Sequence, residues 1–169
     1  MQVETQSNPP PPTRWKALFA GALGGLIGSL AMSEFHSLSP HAESHSQGVD
    51  EDSTVKAASA ISQTLFHHRL TPAQKEMAGT AVHHAFGTVM GALYGVFVDF
   101  RDSGRLGWGL SFGATVWLGA HVITVPALGL SKPITGEAPA VEAFEFASHL
   151  VYGGVTEGVR RTLREYLLR

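Results

Sequence analysis

The chain has 169 residues, of which 44% are hydrophobic and only 15% are charged. A soluble globular chain carries about a quarter charged residues, so this composition favours a membrane protein. A net charge of −2 argues against a nucleic-acid-binding protein, and the absence of cysteine excludes disulfides, thiolate nucleophiles and zinc–thiolate sites.

The N-terminal segment 1–13 contains four consecutive prolines and no apolar periodicity, which predicts a disordered Pro-rich tail. Residues 14–169 are expected to form a single membrane domain. Its first transmembrane helix is predicted at about 15–33, after Arg14 and with Lys16 in a basic cluster that suits a cytoplasmic interface. A cleaved signal peptide is the alternative for this segment, although the run is rich in glycine and has no convincing cleavage site.

Residues 34–77 are hydrophilic and are predicted to form an extracytoplasmic loop. This loop holds His36, His41 and His45, which we expect to be solvated rather than to bind a metal. A short interfacial helix is predicted within the loop from the helical spacing of apolar residues, which are Val55, Ala58, Ile61, Leu65 and Phe66.

Three further apolar runs, at about 78–100, 106–130 and 139–159, are each close to the roughly 20 residues that cross a bilayer. The predicted fold class is therefore all-α, an integral membrane four-helix bundle plus the short interfacial helix. Pro126, Gly129 and Pro133 are expected to kink or end the third membrane helix near the outer face.

The basic residues predict the orientation, because Lys and Arg concentrate on the cytoplasmic side. Four crossings place both termini in the cytoplasm, with eight basic residues inside and four outside. A three-crossing version, in which the last helix lies on the membrane surface, is the alternative. The inside group is Arg14, Lys16, Arg101, Arg105, Arg160, Arg161, Arg164 and Arg169, and the outside group is Lys56, Arg69, Lys75 and Lys132.

Many of the 19 glycines recur at four-residue spacing within the apolar runs, which predicts close glycine-mediated helix packing. In a soluble helix each glycine would cost about 1 kcal/mol relative to alanine. The sets are Gly21 with Gly25, Gly24 with Gly28, Gly87 with Gly91 and Gly95, Gly109 with Gly113, and Gly154 with Gly158.

The last helix carries a polar stripe, since Glu142, Glu145, His149, Tyr152 and Thr156 are spaced 3, 4, 3 and 4 apart. On a helix they fall within an arc of roughly 80°. Ionised groups are costly in lipid, so the stripe is expected to face protein.

One interpretation of the buried polar residues is structural, as hydrogen-bonding groups that join the helices. The other is a proton-responsive polar cluster made by His84, His121, Glu145, His149 and Tyr152, because histidine titrates near neutral pH. A metal site formed by His84, His121, Glu145 and His149, or haem ligation by two histidines, is a further alternative with a less specific signal. His83 is expected to pack against a neighbouring helix.

Three stretches resemble the YagU-like inner-membrane family of bacteria, a domain of unknown function. They are HVITVPALGLSKP from His121, EFASHLV with Glu145 and His149, and TEGVRRTLR with Glu157 and Arg160. The resemblance covers about residues 80–165 and, more loosely, the first helix. It implies an inner-membrane protein with no assigned reaction and a loose link to survival in acid.

The sequence thus predicts a non-enzymatic protein of the bacterial inner membrane, of unknown molecular activity, without an expected cofactor or nucleic-acid partner. Its partners are expected to be the lipid bilayer and, for some roles, further copies of itself. The alternatives are an oligomeric transporter or channel component, and a metal- or haem-binding membrane protein.

Overall fold

The computed structural model describes residues 14–38, 52–99, 107–131 and 138–167. These residues form helices and no strand, which confirms the all-α prediction. The helices are α1 (Arg14–Ser37), α2 (Ser53–Phe66), α3 (Pro72–Asp99), α4 (Leu110–Ala127) and α5 (Pro139–Leu167). The described residues therefore form five helices, and the predicted count of four helices in the bundle is not confirmed. The short α2 corresponds to the helix that was expected outside the bundle.

Several helices are longer than the predicted spans. The segment 34–77, expected to be mostly loop, contains the end of α1, the whole of α2 and the start of α3. Helix α3 begins at Pro72 because Thr71 and Gln74 form a reciprocal cap, in which the Thr71 amide donates to Gln74 Oε1 at 2.9 Å. Proline suits this first helical position, where its missing N–H has no partner to lose. The predicted tail 1–13 lies outside the described residues.

Helix α1 is the centre of the packing and uses two glycine faces. Gly21 and Gly25 face Gly87, Gly91 and Gly95 of α3, so closely that a Cβ on Gly25 would lie 2.9 Å from the Gly91 Cα. Its second face packs on α5, where a Cβ on Gly24 would lie 2.6 Å from the carbonyl oxygen of Thr156, and one on Gly28 2.8 Å from that of Tyr152. These contacts confirm glycine-mediated packing, because no larger residue would allow the backbones to approach so far.

Helix α4 packs on α5 through glycine as well, and its side of the contact is the predicted pair Gly109 and Gly113. Gly109 and Gly113 face Gly153, whose Cβ would lie 2.8 Å from the Gly113 Cα. The predicted pair Gly154 and Gly158 makes no close backbone contact with the described helices, because a Cβ on Gly154 would meet only the Leu110 side chain at 3.8 Å and one on Gly158 would meet no described atom within 4 Å. Consecutive residues point about 100° apart around a helix, so Gly154 is turned away from the α4 backbone that Gly153 faces.

The middle of α4 is a π-helix, from Trp117 to Thr124. Pro126 follows it, and a proline ring collides with the carbonyl four residues earlier in an α-helix, so a wider turn relieves that collision. Helix α4 ends at Ala127, where Gly129 adopts a φ of 70° and the Leu130 amide donates to the Val125 carbonyl. The predicted termination near Pro126 is thus confirmed.

The distribution of side chains is that of a membrane protein. The buried set consists mainly of small and polar residues, whereas large apolar side chains such as Phe19, Ile27, Leu93 and Leu118 are about half exposed. Three described helices, α1, α3 and α4, are long and apolar enough to cross a bilayer. In water such an exposed apolar surface would be unfavourable, and in lipid it matches the surrounding chains.

Candidate functional site

Polar side chains from three helices meet where α1 ends and α5 begins. His36, on the last turn of α1, has its Nε2 3.4 Å from Glu145 Oε2. His121, in the π-helix of α4, donates from Nε2 to Glu142 Oε2 at 3.3 Å. Both carboxylates come from the first two turns of α5, and the spacing of three residues puts them on the same face. We call His36, His121, Glu142, Glu145 and His149 the His/Glu cluster.

His149 completes this cluster and is only 9% exposed. Its Nδ1 lies 2.8 Å from the backbone carbonyl of Glu145, and its ring centroid lies 5.8 Å from that of His121. A carbonyl only accepts, so Nδ1 carries the proton. The predicted interaction of Glu145 with His149 therefore runs through the backbone, which leaves the carboxylate for His36.

Aromatic rings form one wall of the cluster. The ring of Trp117 stacks at 6.4 Å on His121 and meets Phe146 edge-on at 5.0 Å, while Phe35 stacks on Phe144 at 4.9 Å. These rings limit access of water to the two His–carboxylate pairs from within the bundle. The side chains of His36 and His121 are 35% and 29% exposed, but the His36 Nε2 atom itself is buried.

The structure places His84 apart from this cluster, between α1 and α3. Its Nδ1 lies 3.0 Å from Ser29 Oγ, whose own proton goes to the Leu26 carbonyl at 2.8 Å, so His84 is the donor. His83 lies beside it, with Nε2 3.4 Å from the Ser29 carbonyl. His84 thus joins two helices and, with His83, fits the structural interpretation.

The middle of the α5 stripe is also structural. The Tyr152 hydroxyl donates to the Gly87 carbonyl on α3 at 2.7 Å, and the Thr156 hydroxyl donates to the Tyr152 carbonyl at 2.7 Å. Both residues are buried against glycines of α1. Each hydroxyl therefore donates to a backbone oxygen, and that of Tyr152 joins α5 to α3.

A buried ion pair ends the stripe, and sequence reasoning did not select it as a site. Glu157 and Arg160 are 3% and 7% exposed, and two hydrogen bonds of 2.6 and 2.9 Å join the carboxylate to the guanidinium. Arg161 also donates to Glu157, and the Arg160 guanidinium lies 5.9 Å over the Tyr94 ring. The spacing of one acid and two arginines at i, i+3 and i+4 is the signal that predicts this arrangement.

The metal alternative gains no support from this geometry. Within residues 14–38, 52–99, 107–131 and 138–167, no group of three or more His, Cys, Asp or Glu side chains is arranged to hold a metal ion. The four candidate ligands are divided, since His84 lies between α1 and α3, whereas His121 of α4 lies beside His149 near the start of α5, where Glu145 is also found.

Comparisons with known proteins give a family but no activity. No curated protein and no solved structure matches the chain. A family model described as "Protein of unknown function (DUF1440)" matches residues 52–158, which is more than half of the chain and contains α2, α3, α4 and most of α5. The chain therefore belongs to the DUF1440 family of proteins of unknown function.

Proposed function

We propose that this protein crosses the cytoplasmic membrane of a bacterium four times and that its His/Glu cluster responds to protons at the outer face. The proposal is for a non-enzymatic, YagU-like membrane protein with a role in acid tolerance. The observation that carries it is the pair of His–carboxylate contacts that join α5 to α1 and to α4.

Helix α5 is the proposed fourth crossing, although its composition alone is too polar for one. It runs antiparallel to α1, with Phe144 against Phe35 at one end and Thr156 against Gly24 farther along. The polar residues that lower its hydropathy include Tyr152, Thr156, Glu157 and Arg160, all of which are buried against protein. A helix that turns its polar face inward can pass through lipid.

The proposed topology places both termini in the cytoplasm. Arg14 and Lys16 of α1 lie at the same end of the bundle as Arg164 of α5, because the two helices are antiparallel. An excess of Lys and Arg at one end marks the cytoplasmic side. The His/Glu cluster, at the opposite end, then faces the extracytoplasmic side, where a bacterium meets acid first.

Acid strengthens the two contacts by electrostatics. At neutral pH a histidine is mostly uncharged, and when the pH falls through its range it becomes an imidazolium that attracts a nearby carboxylate. Protonation of His36 and His121 should therefore hold α5 more firmly against α1 and α4. These two contacts are therefore expected to contribute more to the free energy of unfolding when the imidazoles are charged than when they are neutral.

The test is the melting temperature of the protein in lipid nanodiscs between pH 8 and pH 5. We expect acidification to raise the melting temperature of the wild type relative to that of the variant His36→Gln/His121→Gln, by about 2–4 °C for each kcal/mol that the contacts contribute. The control His67→Gln/His68→Gln removes two exposed histidines after α2 and should keep this rise. If the cluster variant and the wild type respond equally to pH, the proposal is wrong.

A second candidate is an oligomeric transporter or channel component. The open space at Gly158, on the outward side of α5, favours it, since glycines on an outer face allow copies to pack closely. Tyr152 and Thr156 fill the interior of the bundle beside α1, so a pathway for a transported molecule or ion would have to run between copies of the protein. Crosslinking in native membranes distinguishes the candidates, because a strict monomer contradicts the transporter.

A further inference from the structure

The two halves of α4 are packed very differently. Its inner half, Leu110–Val116, contains the buried residues Gly113 and Val116 and lies against Gly153 of α5. In its outer half, residues 117–127, no residue is buried. The inner half is therefore fixed in the bundle, whereas the outer half has little packing that holds it in one position.

One polar contact joins the outer half of α4 to α5. Ala120 still packs against the core residues Val116 and Tyr152. At the next residue, His121 donates from Nε2 to Glu142 Oε2 at 3.3 Å. Within the part of the chain that the structure describes, residues 122–127 make no side-chain hydrogen bond to another helix. The contact of His121 with Glu142 is thus the outermost polar link between these two helices.

The π-helix provides a hinge at the base of the outer half. Its wide turn includes a hydrogen bond over five residues, from the Thr124 hydroxyl to the Gly119 carbonyl at 2.6 Å. A Cβ built on Gly119 would meet no described atom within 4 Å, so the surroundings leave room for movement there. Helices change direction sharply at π-helical turns and near prolines, and Pro126 lies just beyond this turn.

The observed position of the outer half, which we call closed, leaves one polar group unsatisfied. The indole Nε1 of Trp117 is buried and has no hydrogen-bond partner among the described residues. Its ring meets Phe146 of α5 edge-on at 5.0 Å. A buried donor without an acceptor destabilises the closed position. This cost reduces the difference in free energy between the closed position and one in which the outer half has moved away from α5.

The charges around His121 favour closure in acid. His121 is the only titratable residue of α4. When His36 and His121 are neutral, the two carboxylates make the His/Glu cluster negative, and when both imidazoles are protonated the charges balance. The titratable groups that face His121 are Glu142, Glu145 and His149 of α5 and, through Glu145, His36 of α1.

We propose that the outer half of α4 is a pH-dependent gate that pivots at the π-helix and is closed by the contact of His121 with Glu142. Protonation of His121 closes the gate, because the imidazolium attracts the carboxylate. Loss of this proton weakens the contact and lets the outer half move away from α5, which opens the space beside His149. This inference rests on the proposed proton response and assigns the movement to one segment.

The test uses pairs of nitroxide spin labels on introduced cysteines, since the chain has no cysteine of its own. Ala127→Cys at the end of α4 and Ala140→Cys at the start of α5 report on the gate, because both positions are exposed. Ser111→Cys with Thr162→Cys, at two further exposed positions, is the matched pair for the inner half. Pulsed electron paramagnetic resonance measures both distances in lipid nanodiscs at pH 8 and pH 5.

We expect the distance between labels at 127 and 140 to be about 4 Å longer at pH 8, since a change of about 20° in a kink moves the end of a segment about 10 Å long by that amount. The inner distance should stay constant. His121→Gln should give the longer outer distance at both pH values, and His121→Lys, which keeps its charge over this range, the shorter one. The control His67→Gln/His68→Gln should respond as the wild type does.

A constant outer distance would overturn the gate, and so would an equal change in both label pairs, because the whole helix would then move. A wild-type response in His121→Gln, with the inner distance unchanged, would also overturn it. A change in distance without a change in melting temperature supports the gate and contradicts the proposed stabilisation in acid. A melting-temperature response with a constant outer distance removes only the gate.

Discussion

At the scale of single residues, the polar stripe of α5 has three parts with different roles. Glu142 and Glu145 face histidines of other helices. Tyr152 and Thr156 bond to backbone carbonyls and hold helices together. Glu157 ends the stripe in a buried ion pair. The polar residues of α5 therefore contact histidines near its start, bond to backbone carbonyls in its middle and form an ion pair farther along.

The ion pair predicts a large loss of stability when one charge is removed. Glu157→Gln keeps the shape of the side chain but leaves Arg160 buried without its carboxylate, so we expect a loss of about 3–5 kcal/mol in the free energy of unfolding. Unfolding by sodium dodecyl sulfate in mixed micelles measures it. Glu165→Gln, an exposed acid two turns farther along α5, is the control and should change little.

A double variant tests whether this loss of stability comes from the interaction between Glu157 and Arg160. Replacing both residues, as in Glu157→Gln/Arg160→Met, removes the buried charge as well as its partner, so part of the lost stability should return. A double variant that is as unstable as the sum of the single variants would contradict the assigned ion pair.

The sequence predicts residues of this site only where a helix repeats a pattern. The inward direction of Glu142, Glu145 and His149 follows from their spacing on one helix. The partner of Glu145 does not, because His36 was placed in a loop and its meeting with Glu145 depends on α1 continuing to Ser37. The separation of His84 from the cluster is likewise a matter of which helices are neighbours, which spacing within one helix does not contain.

At the scale of helices, glycine determines which faces meet. Helix α1 can contact α3 and α5 at once because it carries two glycine pairs, Gly21 with Gly25 and Gly24 with Gly28, whose centres lie about 60° apart around it. The spacing predicts that these faces pack, and the structure confirms it. It does not distinguish Gly153 from Gly154, since adjacent residues both belong to small-residue patterns and only the neighbouring helix selects one.

Alanine substitutions test this packing with a matched pair of glycines. A Cβ at Gly91 would lie 2.6 Å from the Gly25 Cα, so Gly91→Ala must push α1 and α3 apart. We expect a loss of about 1–3 kcal/mol in unfolding free energy. Gly158→Ala meets open space and should be neutral or stabilising, because alanine favours helix over glycine by about 1 kcal/mol. Equal effects of the two substitutions would contradict the assigned interface.

At the scale of the whole molecule, the arrangement is the reverse of a soluble protein. Small and polar groups lie inside, and large apolar side chains lie outside on α1, α3 and α4. The apolar runs in the sequence predict that these three helices expose apolar surfaces. They do not decide the role of α5, because its composition is too polar for a membrane span while its packing against α1 and α4 is that of a bundle member.

The central claim is that α5 is the fourth crossing, and the sidedness of the two ends of the chain tests it most directly. Single cysteines at Lys16, Ala60 and Glu165 are labelled in spheroplasts with a membrane-impermeant maleimide, before and after permeabilisation. We predict that Ala60→Cys reacts in intact spheroplasts, and that Lys16→Cys and Glu165→Cys both react only after permeabilisation. Reaction of Lys16→Cys and Glu165→Cys from opposite sides of the membrane would contradict the four-crossing structure and the position of the His/Glu cluster that follows from it.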